Sequence, residues 1–505
     1  MNTVFEIISN QNADLPAIGA PDRSPLSYGG LKALVERTVE TLNGIGIGRG
    51  DRVALVLPNG PEMAAAFLAV GAGASTAPLN PAYREDEFDF YLSDLKAKAL
   101  VVLDGDDTPS LAVAKKRSIP VLVLKSPADG PAGDFTLDTG NAASGTPTSS
   151  GMAAPDDEGL VLHTSGTTSR PKVVPLLNRN LAASAGNIRA TLSLTSDDIG
   201  LNIMPLFHIH GLIASLLSSM SAGAYVVCSP GFNALKIYQW FKDVNPTWYT
   251  AVPTMHQAII ARASRNADVI KGMRLRFARS SSSSLPPPVM AEVEQTFDCP
   301  VIEAYGMTEA AHQMASNQLP PGARKPGTVG PAAGPEISIL TADGKAVPQG
   351  GEGEICIRGG NVFSGYENNP DANAEAFHGD WFRTGDQGFL DEDGYVTISG
   401  RLKEIINRGG EKIAPREVDD VLQAHPAVAQ VVTFAMPHDK LGEDVAAVVV
   451  LAEGKEATER ELRDFAAEKL ADFKVPRTIT FVEEIPKGAT GKLQRIGLAQ
   501  KLGLA

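Results

Sequence analysis

Cysteine is almost missing from this chain: there are three among 505 residues, Cys228, Cys299 and Cys356, far apart and in apolar or mixed surroundings. Such spacing excludes a disulfide framework and a cysteine-built metal site, and it suits a reducing cytoplasm. Basic charge is also scarce. With 45 Lys and Arg against 59 Asp and Glu, the formal net charge is −14, which speaks against a nucleic-acid surface and leaves any anion to be met by local donors. No long hydrophobic run occurs. The most apolar window, Gly211 to Cys228, is interrupted by serines and broken at Gly223, so a buried helix followed by a strand is expected rather than a membrane span. The first residues, MNTVFEIISN, lack the basic and apolar regions of a secretory signal, and the terminal KLGLA is no peroxisomal address. HExxH is absent, and Gly44, Gly46, Gly48 and Gly50 precede a strand instead of following it, out of GxGxxG spacing. A dinucleotide fold is therefore unsupported.

What is present belongs to a soluble globular protein, 43% hydrophobic and 21% charged, long enough for at least two domains. Early in the chain, LKALVERTVETL, VALVL, PEMAAAFLAV, EDEFDFYLSDL and ALVVL alternate helix-like and strand-like patterns. Short apolar runs separated by amphipathic helices predict a parallel sheet covered on both faces. A Ser/Thr/Gly/Pro-rich connection, 144 to 155, leads into the most demanding stretch, LHTSGTTSRPK at 162 to 172. There a buried strand ends in Thr164, Ser165, Gly166, Thr167 and Thr168, with Lys172 beyond. Gly166 lets the backbone turn inward, hydroxyl and N–H groups can surround phosphate oxygens, and the lysine adds a compact charge. Arg170-Pro171 before the lysine rules out a Walker loop. A plain Ser/Thr surface loop is the bland alternative.

Several later stretches carry chemistry. In PLFHIHGL, His208 and His210 share one face if the segment is a strand, or line a cavity if it is a loop; a third metal partner is lacking nearby, and packing alone would also explain them. LRFARSSSSSLPPP reads as a strand into a serine run that is either a tether or a close-fitting loop. In EAYGMTEAAH a strand is expected to end at Tyr305, Gly306 to turn, and Thr308-Glu309 to open a helix, where hydroxyl and carboxylate could hold a phosphate and a magnesium ion. An N-cap with an acidic first turn is the alternative. WFRTGD places Asp386 to suit the two hydroxyls of a ribose. GRLK and NRGGEK look like a hinge and a glycine-tipped hairpin, opening an α+β unit of about a hundred residues. PKGATGK puts Lys492 on a glycine-rich loop.

Taken in order, cradle, YGMTE, TGD, GRLK and PKxxxGK, the chain resembles the adenylate-forming acyl-CoA synthetase superfamily over almost its whole length. It most resembles the oxalyl-CoA synthetase branch of plants and fungi, in HTSGTTSRPK, PLFHIHGL, TWYTAVPTMHQ, the RSSSSSL run, EAYGMTEAAH and INRGGEK. The resemblance implies an α/β fold: a large N-terminal AMP-binding domain of sheets layered with helices, 1–400, and a small mobile α+β lid, 401–505. It implies ATP, Mg²⁺ and coenzyme A as co-substrates and cofactor, and a small carboxylic acid, oxalate first, as partner. No nucleic acid, integral membrane segment or carrier-protein domain is implied, and the expected location is cytoplasmic. It assigns Thr164, Ser165, Gly166, Thr167, Thr168 and Lys172 to the β- and γ-phosphates, and Ser282, Ser283, Ser284, Glu303, Ala304, Tyr305 and Gly306 to the adenine wall. Thr308 takes the α-phosphate, Glu309 the magnesium, Asp386 and Arg401 the ribose. Lys403 is the hinge, Lys492 the catalytic lysine of the first step, and Arg408, Gly409 and Gly410 lie on the coenzyme A side. His208, Ser282 and His312 fall to the acid. Two departures stand out: Val173 replaces the glycine usual after the cradle lysine, and Ser281 stands where the oxalate type tends to have cysteine. Rival readings are a ligase for malonate, a medium-chain or an aryl acid, and a nucleotide-binding regulator.

Overall fold

The structure, a computed structural model, describes residues 1–140, 142–164, 171–487 and 493–504. Ser165, Gly166, Thr167, Thr168 and Lys492 lie outside the described residues.

The early alternation of patterns becomes a seven-stranded sheet. Its parallel centre is built from Val121–Lys125, Ala99–Leu103, Arg52–Val56, Ser75–Pro78 and Glu158–Thr164, with antiparallel edges Thr136–Asp138 and Lys172–Leu177. A second sheet of eight strands runs His312–Ser316, Val301–Met307, Phe277–Ser281, Trp248–Ala251, Ile199–Asn202, Tyr225–Cys228, Pro16–Ala20, Arg23–Ser27. Between the two lies the helix Pro61–Gly71, which packs against strands of both sheets. Its sequence, PEMAAAFLAVG, is apolar all round, as burial on two sides requires, and every residue except Glu62 is buried. The window from Gly211 is also as expected, a helical run from His210 to Ser221 and then the strand Tyr225–Cys228. The first part, His210–Leu217, is wound as a π-helix, a form often found at functional sites.

A third sheet, Glu336–Leu340, Gly353–Arg358, Trp381–Leu390, Phe377–His378 and Val396–Arg401, was not foreseen as a separate layer. Its last strand ends at Arg401, paired in register with Asp386. Beyond it the C-terminal α+β unit is as read. Ile406–Arg408 and Glu411–Ile413 form the hairpin around Gly409 and Gly410, both at positive φ, next to the long antiparallel pair Val428–His438 and Gly442–Leu451. The helices Pro415–Gln423 and Glu459–Ala467 cover this sheet through a core of Val418, Leu422, Leu462 and Ala466. Within it Arg495 donates to Glu404 (3.1 Å), Asp419 (2.8 Å) and the Thr433 carbonyl (2.6 Å).

One expectation is corrected. Thr308–Ala310 is a single 3₁₀ turn, not the start of a helix, and the chain returns at once as the antiparallel strand His312–Ser316. The reversal uses Ala311 (φ 47°) and His312 (φ 99°). Gly306 is not the turn but a strand residue opposite Gln313, where a Cβ would stand 1.8 Å from the His312 carbonyl oxygen. Only glycine permits so close a backbone approach.

Glu303, on the strand Val301–Met307, faces the C-terminal unit. It is 1% exposed; one oxygen accepts from the Leu285 N–H (2.9 Å) and the other has no partner among the described residues. Burial pushes its carboxyl up to about 7, against the Leu285 N–H and the Arg416 charge, with Asp420 adding to the rise. Folding therefore favours the protonated form: the stabilising contribution is full below the ordinary pKa of 4.5 and is lost as pH rises through about 7. Glu303→Gln, fixed in the neutral state, is expected to be more stable than wild type by on the order of 2–3 kcal/mol at pH 8 and nearly equal to it at pH 4.5. Denaturant unfolding at the two pH values measures this, and an equal gain at both would show that the carboxyl is not held neutral.

Candidate active site

The C-terminal ends of the parallel strands of the second sheet and the inner edge of the third meet at one place. Tyr305, from the strand Val301–Met307, donates its hydroxyl to Asp386, whose other oxygen accepts from Arg401 Nε at 2.9 Å. The Asp386 N–H is itself held by Thr384 Oγ1 at 3.1 Å. Asp386 is 7% exposed, so two donors fix a nearly buried carboxylate at the rim where a ribose hydroxyl pair could reach it.

Glu309 lies just beyond. The 3₁₀ turn buries it, Tyr366 donates to its Oε1 at 2.8 Å, and the Phe363 N–H holds its carbonyl at 2.8 Å. Burial raises its carboxyl above the ordinary value, while Tyr366, Arg401 and Lys172 pull it down. Lys172 Nζ sits 4.2 Å from the centroid of the Tyr366 ring. Its ammonium is lowered by desolvation and then by Lys403, with Glu309 and Glu375 opposing. Lys172, Glu309 and Lys403 are thus within electrostatic reach of one another although up to 231 residues separate them in sequence. Among the described residues no group of three or more His, Cys, Asp or Glu could hold a metal. A single buried carboxylate fits Mg²⁺, which is commonly bound by one or two protein carboxylates with phosphate and water completing its shell.

Behind this charged rim is a buried polar cluster. His210 meets Ser282 Oγ through Nδ1 (3.0 Å) and Thr250 Oγ1 through Nε2 (2.6 Å). His312 stacks on His210 with ring centroids 5.1 Å apart. Arg279 Nη2 donates to His312 Nε2 at 3.1 Å; since arginine can only donate, that nitrogen accepts, and a neutral His312 carries its proton on Nδ1. His208 is half-buried and its Nδ1 accepts from the His210 N–H at 3.3 Å, so the second histidine of the pair is the one bonded to Ser282. Ser282 turns inward at φ 75°, Ser283 is exposed, and Ser284 is half-buried. Ser281 donates to the Ala304 carbonyl at 2.8 Å, and Val173 is buried in an apolar cluster with Val161, so both departures are absorbed by packing. Thr164 pairs in register with Lys172, Thr308 is half-buried, and Arg408 is tied to Asp444 at 2.6 Å beside the tip glycines.

Sequence reading missed Tyr366, Thr250 and Arg279. Tyr366 lies in no motif and sits in the loop before the helix Pro370–Ala376, while Thr250 is within TWYTAVPTMHQ, whose sequence alone gave it no role. Arg279 had a signal: a lone charge within the strand FARSS, whose five residues are all buried.

The AMP-binding enzyme family matches residues 5–367, and the AMP-binding enzyme C-terminal domain matches 417–492. An oxalate–CoA ligase of Arabidopsis thaliana is 44% identical, with 99% of this chain and 98% of that protein covered. One of Saccharomyces cerevisiae is 42% identical, covering 90% and 87%. The crystal structure of ATP-bound MatB from Rhodopseudomonas palustris superposes with a TM-score of 0.89 at 30% identity, covering 99% of each chain. With both halves matched and relatives alike over nearly their whole length, this chain belongs to the AMP-binding enzyme family.

Proposed function

We propose that the protein is an AMP-forming acid–CoA ligase whose acid is oxalate. In the first half-reaction a carboxylate oxygen of oxalate attacks the α-phosphorus of ATP, the bond to pyrophosphate breaks, and oxalyl-adenylate forms. In the second, the coenzyme A thiolate attacks the acyl carbon and AMP leaves with the electron pair. A cytoplasmic location, suited to three free buried cysteines, is part of this reading.

The observation that carries the choice of acid is the polar wall of His210, Thr250, Ser282 and His312 behind the rim. An apolar acyl chain would press hydrocarbon against this hydrogen-bonded wall and offer it no acceptor, whereas the carboxylate oxygens of oxalate are acceptors suited to it. The named activity of the two oxalate–CoA ligases supports the same reading.

In this scheme Thr164, Ser165, Gly166, Thr167, Thr168 and Lys172 hold the β- and γ-phosphates, and Thr308 orients the α-phosphate. Asp386 and Arg401 take the ribose, and Ser282, Ser283, Ser284, Glu303, Ala304, Tyr305 and Gly306 enclose the adenine. Glu309 would hold Mg²⁺, which supplies positive charge to the phosphates. The acid meets His312, His208 and Ser282. The lid, 401–505, turns at Lys403; Lys492 bridges carboxylate and phosphate in the first step, and Arg408, Gly409 and Gly410 face coenzyme A in the second. Displacement at phosphorus is mostly positioning and charge neutralisation, so these cations matter more than a general base.

A pyrophosphate-release assay over oxalate, malonate, octanoate and cinnamate, with and without coenzyme A, tests the function: oxalate should give the highest kcat/KM, and a higher value for octanoate or cinnamate would replace oxalate in this reading. Lys492→Ala should slow adenylate formation by about 10²–10³ while thioester formation from supplied oxalyl-adenylate persists; equal losses in both steps would remove Lys492 from its role. Lys403→Pro, which fixes φ, should abolish one half-reaction and spare the other, and normal rates in both would rule out the pivot.

A further inference from the structure

Most of the well-buried arginines here are matched to carboxylates. Arg52 meets Glu158 and Glu367, and Arg495 meets Glu404 and Asp419. Even the more exposed Arg276 donates from Nη1 to both oxygens of Asp198. Arg279 is different. It is 0% exposed, yet its bonds are all to neutral groups: His312 Nε2 (3.1 Å), Thr250 Oγ1 (3.4 Å) and Gln313 Oε1 (3.4 Å). Its Nε has no partner, and no carboxylate lies within ion-pair distance among the described residues. Burial alone lowers its guanidinium to about 9, which leaves it cationic at neutral pH. A buried charge without a counter-charge is costly, and guanidinium has the fork geometry that carboxylates fit.

Its place in the fold gives the reason. Arg279 is three residues before Ser282 and in register with Thr250 on the neighbouring strand, and it donates to His312. It therefore stands directly behind His312, one of the groups proposed to meet the acid, and against Thr250, which His210 connects to Ser282. We propose that Arg279 is the counter-charge for the second carboxylate of the acid, making the site selective for a dianion over a neutral isostere. The inference rests on the oxalate reading and deepens it. Because the two carboxylates of oxalate share one carbon–carbon bond, an anchor for the second must sit immediately behind the residues that hold the first. His312 accepts from Arg279 through Nε2, so the arginine also fixes which nitrogen of that ring carries the proton.

Oxamate separates charge from shape: it is oxalate with one carboxylate replaced by a neutral amide. ATP–pyrophosphate exchange with both acids is measured for wild type, Arg279→Gln and Arg279→Lys, alongside ATP affinity and thermal midpoint as checks of folding. Wild type should favour oxalate over oxamate by about 30-fold or more in kcat/KM, on the scale of one charged hydrogen-bond pair. Arg279→Gln should bring that ratio to within about threefold of unity, mainly through the KM for oxalate, with ATP affinity unchanged. Arg279→Lys should keep a preference for oxalate, reduced by the loss of the fork. A ratio that persists undiminished in Arg279→Gln overturns the inference alone, as does an equal fall for both acids, which marks a structural role. If Arg279→Gln fails to fold, Arg279→Lys decides: loss of the preference despite a retained charge also overturns it. Wild-type preference for octanoate over both acids overturns the oxalate reading and the inference with it.

Discussion

The site depends on how closely two backbones approach at Gly306. The strand Val301–Met307 must come near enough to the returning strand for a glycine Cα to lie against the His312 carbonyl, where any Cβ would collide at 1.8 Å. That contact compresses the reversal into one 3₁₀ turn with Ala311 and His312 at positive φ. Strain of this kind is retained where surrounding structure over-determines it. Its effect is to put Tyr305 and Glu309 on the rim, and His312 behind them, within eight residues of chain. A regular helix after Tyr305 would separate these groups along its axis and leave the polar cluster without His312.

Two kinds of contact then complete the arrangement. On the rim, charge is settled by long-range partners: Tyr305 with Asp386 and Arg401, Glu309 with Tyr366, and Lys172 over the Tyr366 ring. Behind it, uncharged hydrogen bonds connect His210, Thr250 and Ser282, with the His312 ring stacked against the first of them. In the proposed scheme the rim takes the nucleotide, and the cluster is where one acid could be told from another. The two share one hairpin, which carries Tyr305 and Glu309 on one side and His312 on the other.

Much of this was legible in the chain because the signals were local. The apolar runs ALVVL and VALVL read as buried strands, PEMAAAFLAV read as a helix between them although its burial on all sides was not foreseen, and RGG between short strands marked the hairpin at Gly409 and Gly410. The third sheet was missed because its strands are separated by long irregular stretches and one, Phe377–His378, has two residues. The expected helix at Thr308 failed because propensity cannot report a steric contact with a strand not yet placed. Tyr366 and Thr250 were invisible for a related reason: each acts on a partner 57 or 40 residues away. Arg279 was visible as a residue, yet the proposal for it rests on the structure, where no carboxylate among the described residues pairs with it.

The helix Pro61–Gly71 carries a different lesson. It is sandwiched by the two large sheets, and Ala64, Ala65, Ala66 and Ala69 are all fully or almost fully buried. Interiors packed at crystal-like density respond to an added methylene by shifting whatever surrounds it. For this helix the surroundings are both halves of the nucleotide-binding domain, so one enlarged alanine would have to be accommodated on two fronts at once. Evolutionary drift should therefore be slow here, in a segment outside the proposed site, and a survey of tolerated substitutions would find this helix as intolerant of change as the rim residues themselves.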